Sequence, residues 1–257
     1  VPTAYLVADP QNVTVTYAET KEVPIENKEK TGSITVHKTT EGQKNIEGIK
    51  FYLRGTSDSG RAIDIPATTD KDGIAKFDGV PIGTYMVIED EETVPYGYLV
   101  ADEKEVKVEY AQTIDETILN NEQTGTVKVH KKTADMTNVE GIRFILSGIS
   151  DTGREIRIEA TTDKDGLAKF EGVPVGTYTI TEDGSTVPYG YLVADSKQVT
   201  VAYAQTVDTD MVNEKAPDTP NTGVTDNDSD GRTALGSVAI ILAGAAVLMF
   251  SRKRKER

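Results

Sequence analysis

The sequence predicts an all-β protein: two tandem β-sandwich domains followed by one C-terminal apolar helix. Three observations carry this. A long motif recurs at a fixed offset of 93 residues. Each unit alternates apolar and polar residues with period two, the strand signature. Ala234 to Phe250 is an unbroken run of apolar and small residues, followed by a basic tail.

The repeat comes first, because a fixed period decides the architecture. Val94-Pro95-Tyr96-Gly97-Tyr98-Leu99-Val100-Ala101-Asp102 returns at Val187-Pro188-Tyr189-Gly190-Tyr191-Leu192-Val193-Ala194-Asp195, and in altered form at Val1-Pro2-Thr3-Ala4-Tyr5-Leu6-Val7-Ala8-Asp9. Residues 1–28 then read as the C-terminal part of a truncated repeat. Two full repeats follow, 31–122 and 124–215. Candidate strands in the first are 33–38, 49–54, 61–65, 74–77, 84–89, 104–110 and 114–120. Asp70-Lys71-Asp72-Gly73, Val80-Pro81-Ile82-Gly83 and Pro95-Tyr96-Gly97 punctuate them as turns. Seven short strands without helical periodicity make a two-sheet sandwich of immunoglobulin-like type. The link Asn121-Glu122-Gln123 is short, so the repeats should form a semi-rigid rod. Residues 216–233 are a polar, Pro-containing spacer. Residues 234–251 are the expected transmembrane helix, since the hydrocarbon core needs about 20 apolar residues. Residues 252–257 are a basic tail, cytoplasmic by the positive-inside rule. The chain has no initiating Met or signal peptide and opens inside a strand pattern, which reads as a piece of a longer protein.

Net charge is −14; from Val224 onward the segment is +2, leaving −16 on residues 1–223. Such a body repels phosphate backbones, so nucleic acid is not an expected partner. Cysteine is absent, so an exported domain must be stabilised by something other than disulfides. The Asp-Lys-Asp-Gly stretches lack the third acid and distal glutamate of a calcium loop and read as turns. His37 and His130 fall on outward strand positions, with no Cys or second His for a zinc site. No metal or other cofactor is expected. No Ser/His/Asp grouping or phosphate loop repeats with the units, so an enzyme is not expected.

One feature of the strands is chemically unusual. Ile34 and Val36 mark the buried face of the first strand, and Lys38 is next on that face; Val127, Val129 and Lys131 repeat this. Glu89 shares a face with Tyr85 and Val87, and Glu182 with Tyr178 and Ile180. Asn120 is in phase with Ile118, and Asn213 with Met211. Each repeat therefore aims an amine, an acid and a carboxamide into its core, where polar groups need partners. Two readings are open. In one, the lysine snorkels from a strand end and pairs with the glutamate. In the other, the trio condenses into an amide. Burial favours the neutral amine, which is a nucleophile, while a buried carboxylic acid keeps its proton and can donate to the carboxamide oxygen. The bond would join first strand to last, so that tension bypasses the interior.

These residues resemble the B-type repeat of collagen-adhesin-like Gram-positive surface proteins, the SpaA-type prealbumin-like domain. The resemblance is carried by Gly32-Ser33-Ile34-Thr35-Val36-His37-Lys38, by Tyr85-Met86-Val87-Ile88-Glu89 with Pro95-Tyr96-Gly97-Tyr98, and by Asn120. The second copy matches at Gly125 to Lys131, Tyr178 to Glu182, Pro188 to Tyr191, and Asn213. The resemblance implies isopeptide crosslinks Lys38–Asn120 and Lys131–Asn213, with Glu89 and Glu182 as the autocatalytic groups. Asn27 would be the acceptor of the truncated repeat. The spacing from glutamate to proline is longer than the common form.

The C-terminal order of parts, Thr219-Pro220-Asn221-Thr222-Gly223, spacer, apolar run and basic tail, resembles a Gram-positive cell-wall sorting signal, with Thr219 where leucine is usual. It implies that a sortase cuts between Thr222 and Gly223 and passes the Thr222 carbonyl to a peptidoglycan precursor. The membrane would hold the protein until then. On this reading the chain is a wall-anchored stalk, with an upstream region for host matrix or another cell-surface ligand. Alternatives are repeats that bind matrix directly, or a minor or basal pilus subunit. The absence of a Tyr-Pro-Lys element speaks against a pilus shaft.

Overall fold

The computed structural model describes residues 1–42, 46–135 and 139–217. The sorting motif, the apolar run and the basic tail lie outside the described residues. Among the described residues, no helix is long and apolar enough to cross a membrane. Val1–Ala216 form one compact unit.

The first repeat contains β1 (Thr31–Thr40), β2 (Lys50–Ser57), β3 (Ala62–Thr68), β4 (Ile74–Pro81), β5 (Gly83–Glu89), β6 (Lys104–Val108) and β7 (Thr113–Asn120). The second contains β8 (Thr124–Thr133), β9 (Arg143–Ser150), β10 (Glu155–Thr161), β11 (Leu167–Pro174), β12 (Gly176–Glu182), β13 (Lys197–Val201) and β14 (Thr206–Asn213). Each of the seven candidate strands of the first repeat overlaps an observed one. The ends differ: β1 and β3 run further than their apolar residues indicate, and β6 stops earlier. Pro66 lies within β3, which tolerates it as an edge strand. Periodicity gave no sign of the single-turn 3-10 helices Glu91–Thr93 and Gly184–Thr186, capped by the Asp90 and Asp183 side chains.

Each repeat is a sandwich of a three-stranded and a four-stranded sheet, ordered β4-β1-β7 over β3-β2-β5-β6, and β11-β8-β14 over β10-β9-β12-β13. β1 is central in its sheet, antiparallel to β4 and parallel to β7. Residues 1–28 hold no strand; Tyr5 bridges Glu29, with Leu6 N donating to Lys28 O and Lys30 N to Ala4 O, each at 2.8 Å.

The cores are built by the predicted alternation. In β1, Gly32, Ile34, Val36, Lys38 and Thr40 are buried and the residues between them less so. Ile34, Val36, Phe51, Leu53, Phe77 and Tyr85 fill the first core; Val127, Val129, Phe144, Leu146, Phe170 and Tyr178 fill the second. In each core cluster the tyrosine donates its hydroxyl to a proline carbonyl at 2.8 Å, Tyr85 to Pro81 and Tyr178 to Pro174. Burial pushes both phenols up to about 12. The Asp-Lys-Asp-Gly stretches are turns: Asp70 Oδ1 accepts from Asp72 N and Ile74 N, and Asp163 Oδ1 from Asp165 N and Leu167 N. His37 and His130 face solvent, each against an aspartate of the parallel neighbour strand. No cluster of metal-ligating side chains occurs among the described residues.

Gly125 shows how closely β8 approaches the turn between β13 and β14. A Cβ there would meet Ala202 O at 2.6 Å and Gln205 O at 2.8 Å, backbone atoms that cannot rotate away. Gly125→Ala should therefore destabilise the second repeat by about 1–3 kcal/mol, the cost of overpacking. Its thermal transition should fall while that of the first repeat stays fixed.

Candidate functional site

The period-two reading puts a lysine, a glutamate and an asparagine in each core, and the structure brings each trio together. Lys38 is fourth of the five buried positions of β1, while Glu89 and Asn120 end β5 and β7. Parallel pairing aligns Lys38 with Ile118 and Thr40 with Asn120, so amine and carboxamide lie on neighbouring strands one side-chain step apart. Glu89, opposite Phe51 on β2, reaches them from the other sheet. All six residues are buried; Lys38 is 1% exposed. The lysine does not snorkel from a strand end, because β1 continues to Thr40.

Lys38 Nζ is 3.2 Å from Glu89 Oε1, 3.1 Å from Thr39 O and 3.2 Å from Ile118 O. Lys131 Nζ is 3.3 Å from Glu182 Oε1, 2.9 Å from Lys132 O and 3.3 Å from Met211 O. Asn120 Nδ2 donates to Glu89 Oε2 at 2.6 Å and to Leu99 O; Asn213 Nδ2 donates to Glu182 Oε2 at 2.6 Å and to Leu192 O at 2.7 Å. The same carboxylate oxygens accept Ala101 N at 2.8 Å and Ala194 N at 2.7 Å. One glutamate thus bridges the amine and the carboxamide nitrogen. Burial pulls both lysine amines below their ordinary value, and the facing glutamate opposes this.

The structure corrects one expectation. The glutamate was expected to donate to the carboxamide oxygen, yet Asn120 Oδ1 and Asn213 Oδ1 are buried without a hydrogen-bond partner. The cause is the loop before β6. Leu99 O and Leu192 O can only accept, so they hold the amide nitrogen, not its oxygen, on the glutamate side. These backbone partners were missed from sequence. Their signal was the Leu-Val-Ala stretch following the Pro-Tyr-Gly turn, which also occurs 93 residues earlier as Leu6-Val7-Ala8. There Asn27 Nδ2 donates to Leu6 O at 2.6 Å, the same backbone contact that Asn120 makes with Leu99.

Chemically, the arrangement suits transfer of a proton from nucleophile to leaving group. Attack by Lys38 Nζ on Asn120 Cγ makes the C–N bond and breaks the bond from Cγ to Nδ2. Glu89 Oε1 stands where the amine loses a proton, and Oε2 where the departing nitrogen gains one. Ammonia leaves and the carboxyl group is returned to its starting state. As an ion pair alone the trio is a poor stabiliser, since desolvating both charges offsets most of their attraction.

Fold and site define a class: tandem structural β-sandwiches, each with a polar trio sealed between its sheets. The family model for the SpaA prealbumin-like fold domain matches residues 32–123 and 125–215, and the chain belongs to that family, a structural and non-enzymatic one. Among solved structures it is similar to the Bacillus anthracis TIE protein, at 25% identity and a TM-score of 0.54, over 74% of this chain and 35% of that one. The chain thus spans about a third of that relative's length. It also matches GBS52, the minor pilin of Streptococcus agalactiae, at 18% identity and TM-score 0.36, over 75% of this chain and 99% of that one. A third match is the shaft pilin SpaA of Lactobacillus rhamnosus GG, at 16% identity and TM-score 0.34, over 74% and 100% of the two chains. No curated protein matches the chain.

Proposed function

We propose that this chain is the stalk region of a Gram-positive wall-anchored surface protein, each repeat braced by an intramolecular amide, Lys38–Asn120 in the first and Lys131–Asn213 in the second. Glu89 and Glu182 pass the proton. The observation that carries the reading is the duplicated bridge, in which one sealed carboxylate touches both the amine and the carboxamide nitrogen. Family membership supports a structural role. Sortase and a peptidoglycan precursor are the partners that the Thr219 to Gly223 motif calls for, with the membrane as a holding site beforehand and the wall as final location.

The test is intact mass. The folded chain should weigh less than its sequence by two ammonia molecules, one per repeat. Peptide mapping should find Lys38 joined to Asn120 and Lys131 joined to Asn213. Full sequence mass in well-folded protein would remove the crosslink and leave two buried ion pairs.

A further inference from the structure

The linker residue Glu122 is charged, yet its side chain is 0% exposed. It leaves the first repeat and enters the second. The Arg154 guanidinium and the Thr152 hydroxyl donate to its two carboxylate oxygens, and Val175 N donates to the neighbouring Gln123 O at 2.9 Å. The receiving residues lie on the β9–β10 hairpin, where Ser150 Oγ meets Thr152 Oγ1 at 2.7 Å and accepts from Arg154 N at 3.0 Å.

One repeat earlier the dock recurs. Glu29 takes the place of Glu122, Arg61 lies 2.8 Å from its Oε2, and Ser59 donates to its Oε1. Ile82 N donates to Lys30 O at 2.9 Å. A Cβ on Gly97 would meet the Thr152 methyl at 2.7 Å; the residues 93 positions earlier are Ala4 and Ser59, and serine lacks that methyl. One more repeat along, the position is Lys215. It turns back on its own repeat, 3.2 Å from Asp135, which also accepts from Tyr191. Residues 217–257 contain no further copy of the repeat.

We propose that this glutamate-in-arginine dock is the surface by which each repeat seats the one before it, and that Lys215 in the glutamate's place marks the end of the array. The hairpin accepts only a preceding repeat that ends in an acid, because a lysine there would press an ammonium against the guanidinium. This goes beyond the stalk reading and does not depend on the crosslink, whose bonds lie inside single repeats.

The test uses the full chain with Asp78→Cys and Glu171→Cys, equivalent exposed positions on β4 and β11. The absence of native cysteine makes these the only points of spin labelling. Glu122→Lys writes the terminal residue into the internal joint. It should broaden the inter-repeat distance distribution by about twofold or more, as when a short flexible linker replaces a fixed contact. Arg154→Glu should do the same, and the two together should narrow the distribution again. Single changes that leave the width unaltered, or a double change as broad as either single, would overturn the dock. Melting of each sandwich on the same samples checks folding. Should a charge variant fail to fold, Thr152→Val removes a hydroxyl donor at nearly constant shape and should also broaden the distribution.

Discussion

Glutamine in place of Glu89 should leave the first repeat folded but unbonded. Glutamine keeps the volume and can still accept from Asn120 and Ala101, but it cannot carry a proton from the amine to the departing nitrogen. The variant should therefore weigh one ammonia more than the parent, apart from the substitution itself, while the second repeat stays bonded as an internal control. The loss of stability should be large. Lys38 and Asn120 close most of a domain into one loop, and the chain-entropy relation for crosslinks assigns roughly 4–5 kcal/mol to a loop of that size. For a domain this small that corresponds to roughly 20–30 °C in melting temperature. Calorimetry should show two transitions where the parent has them close together. A bonded first repeat in this variant would remove Glu89 from the chemistry while keeping the crosslink.

Thr222→Ala should move the protein from wall to membrane. The sorting reading requires the Thr222 carbonyl to be passed to an enzyme cysteine and then to a wall amine, and the bond to Gly223 to break. Without that step, the apolar run 234–250 and the basic residues after it stay attached to the repeats. Parent protein should be released only by wall digestion, and the variant by detergent alone, with wall-linked material falling from the bulk of the protein to background. Detergent extraction of the parent would argue for a plain single-pass anchor.

Much of this was legible in the sequence, for a physical reason. Strand parity is strict, so the run Ile34, Val36, Lys38 declares a buried lysine without any structure. The same parity finds Glu89 and Asn120, and the 93-residue offset doubles each inference. What parity could not give was the orientation of the carboxamide. That depends on Leu99 O and Ala101 N, backbone groups of a loop with no periodic signal. The dock was equally hidden, because Glu122 and Arg154 are distant in sequence and each alone looks like a solvated charge. Strand ends were missed where polar residues such as Thr39 and Thr40 continue β1 past its apolar stretch.

The parallel pairing of β1 with β7 has a consequence for a chain pulled from both ends. The two strands are loaded at opposite tips, so the eight paired positions from Ser33↔Thr113 to Thr40↔Asn120 are sheared together rather than peeled one at a time. Slippage of this ladder would be the event that lets a repeat lengthen, by roughly 280 Å if the 82 residues after Lys38 run out at full extension. An amide between Lys38 and Asn120 would deny that contour to the pulling force, and the column would keep its length until a covalent bond gave way.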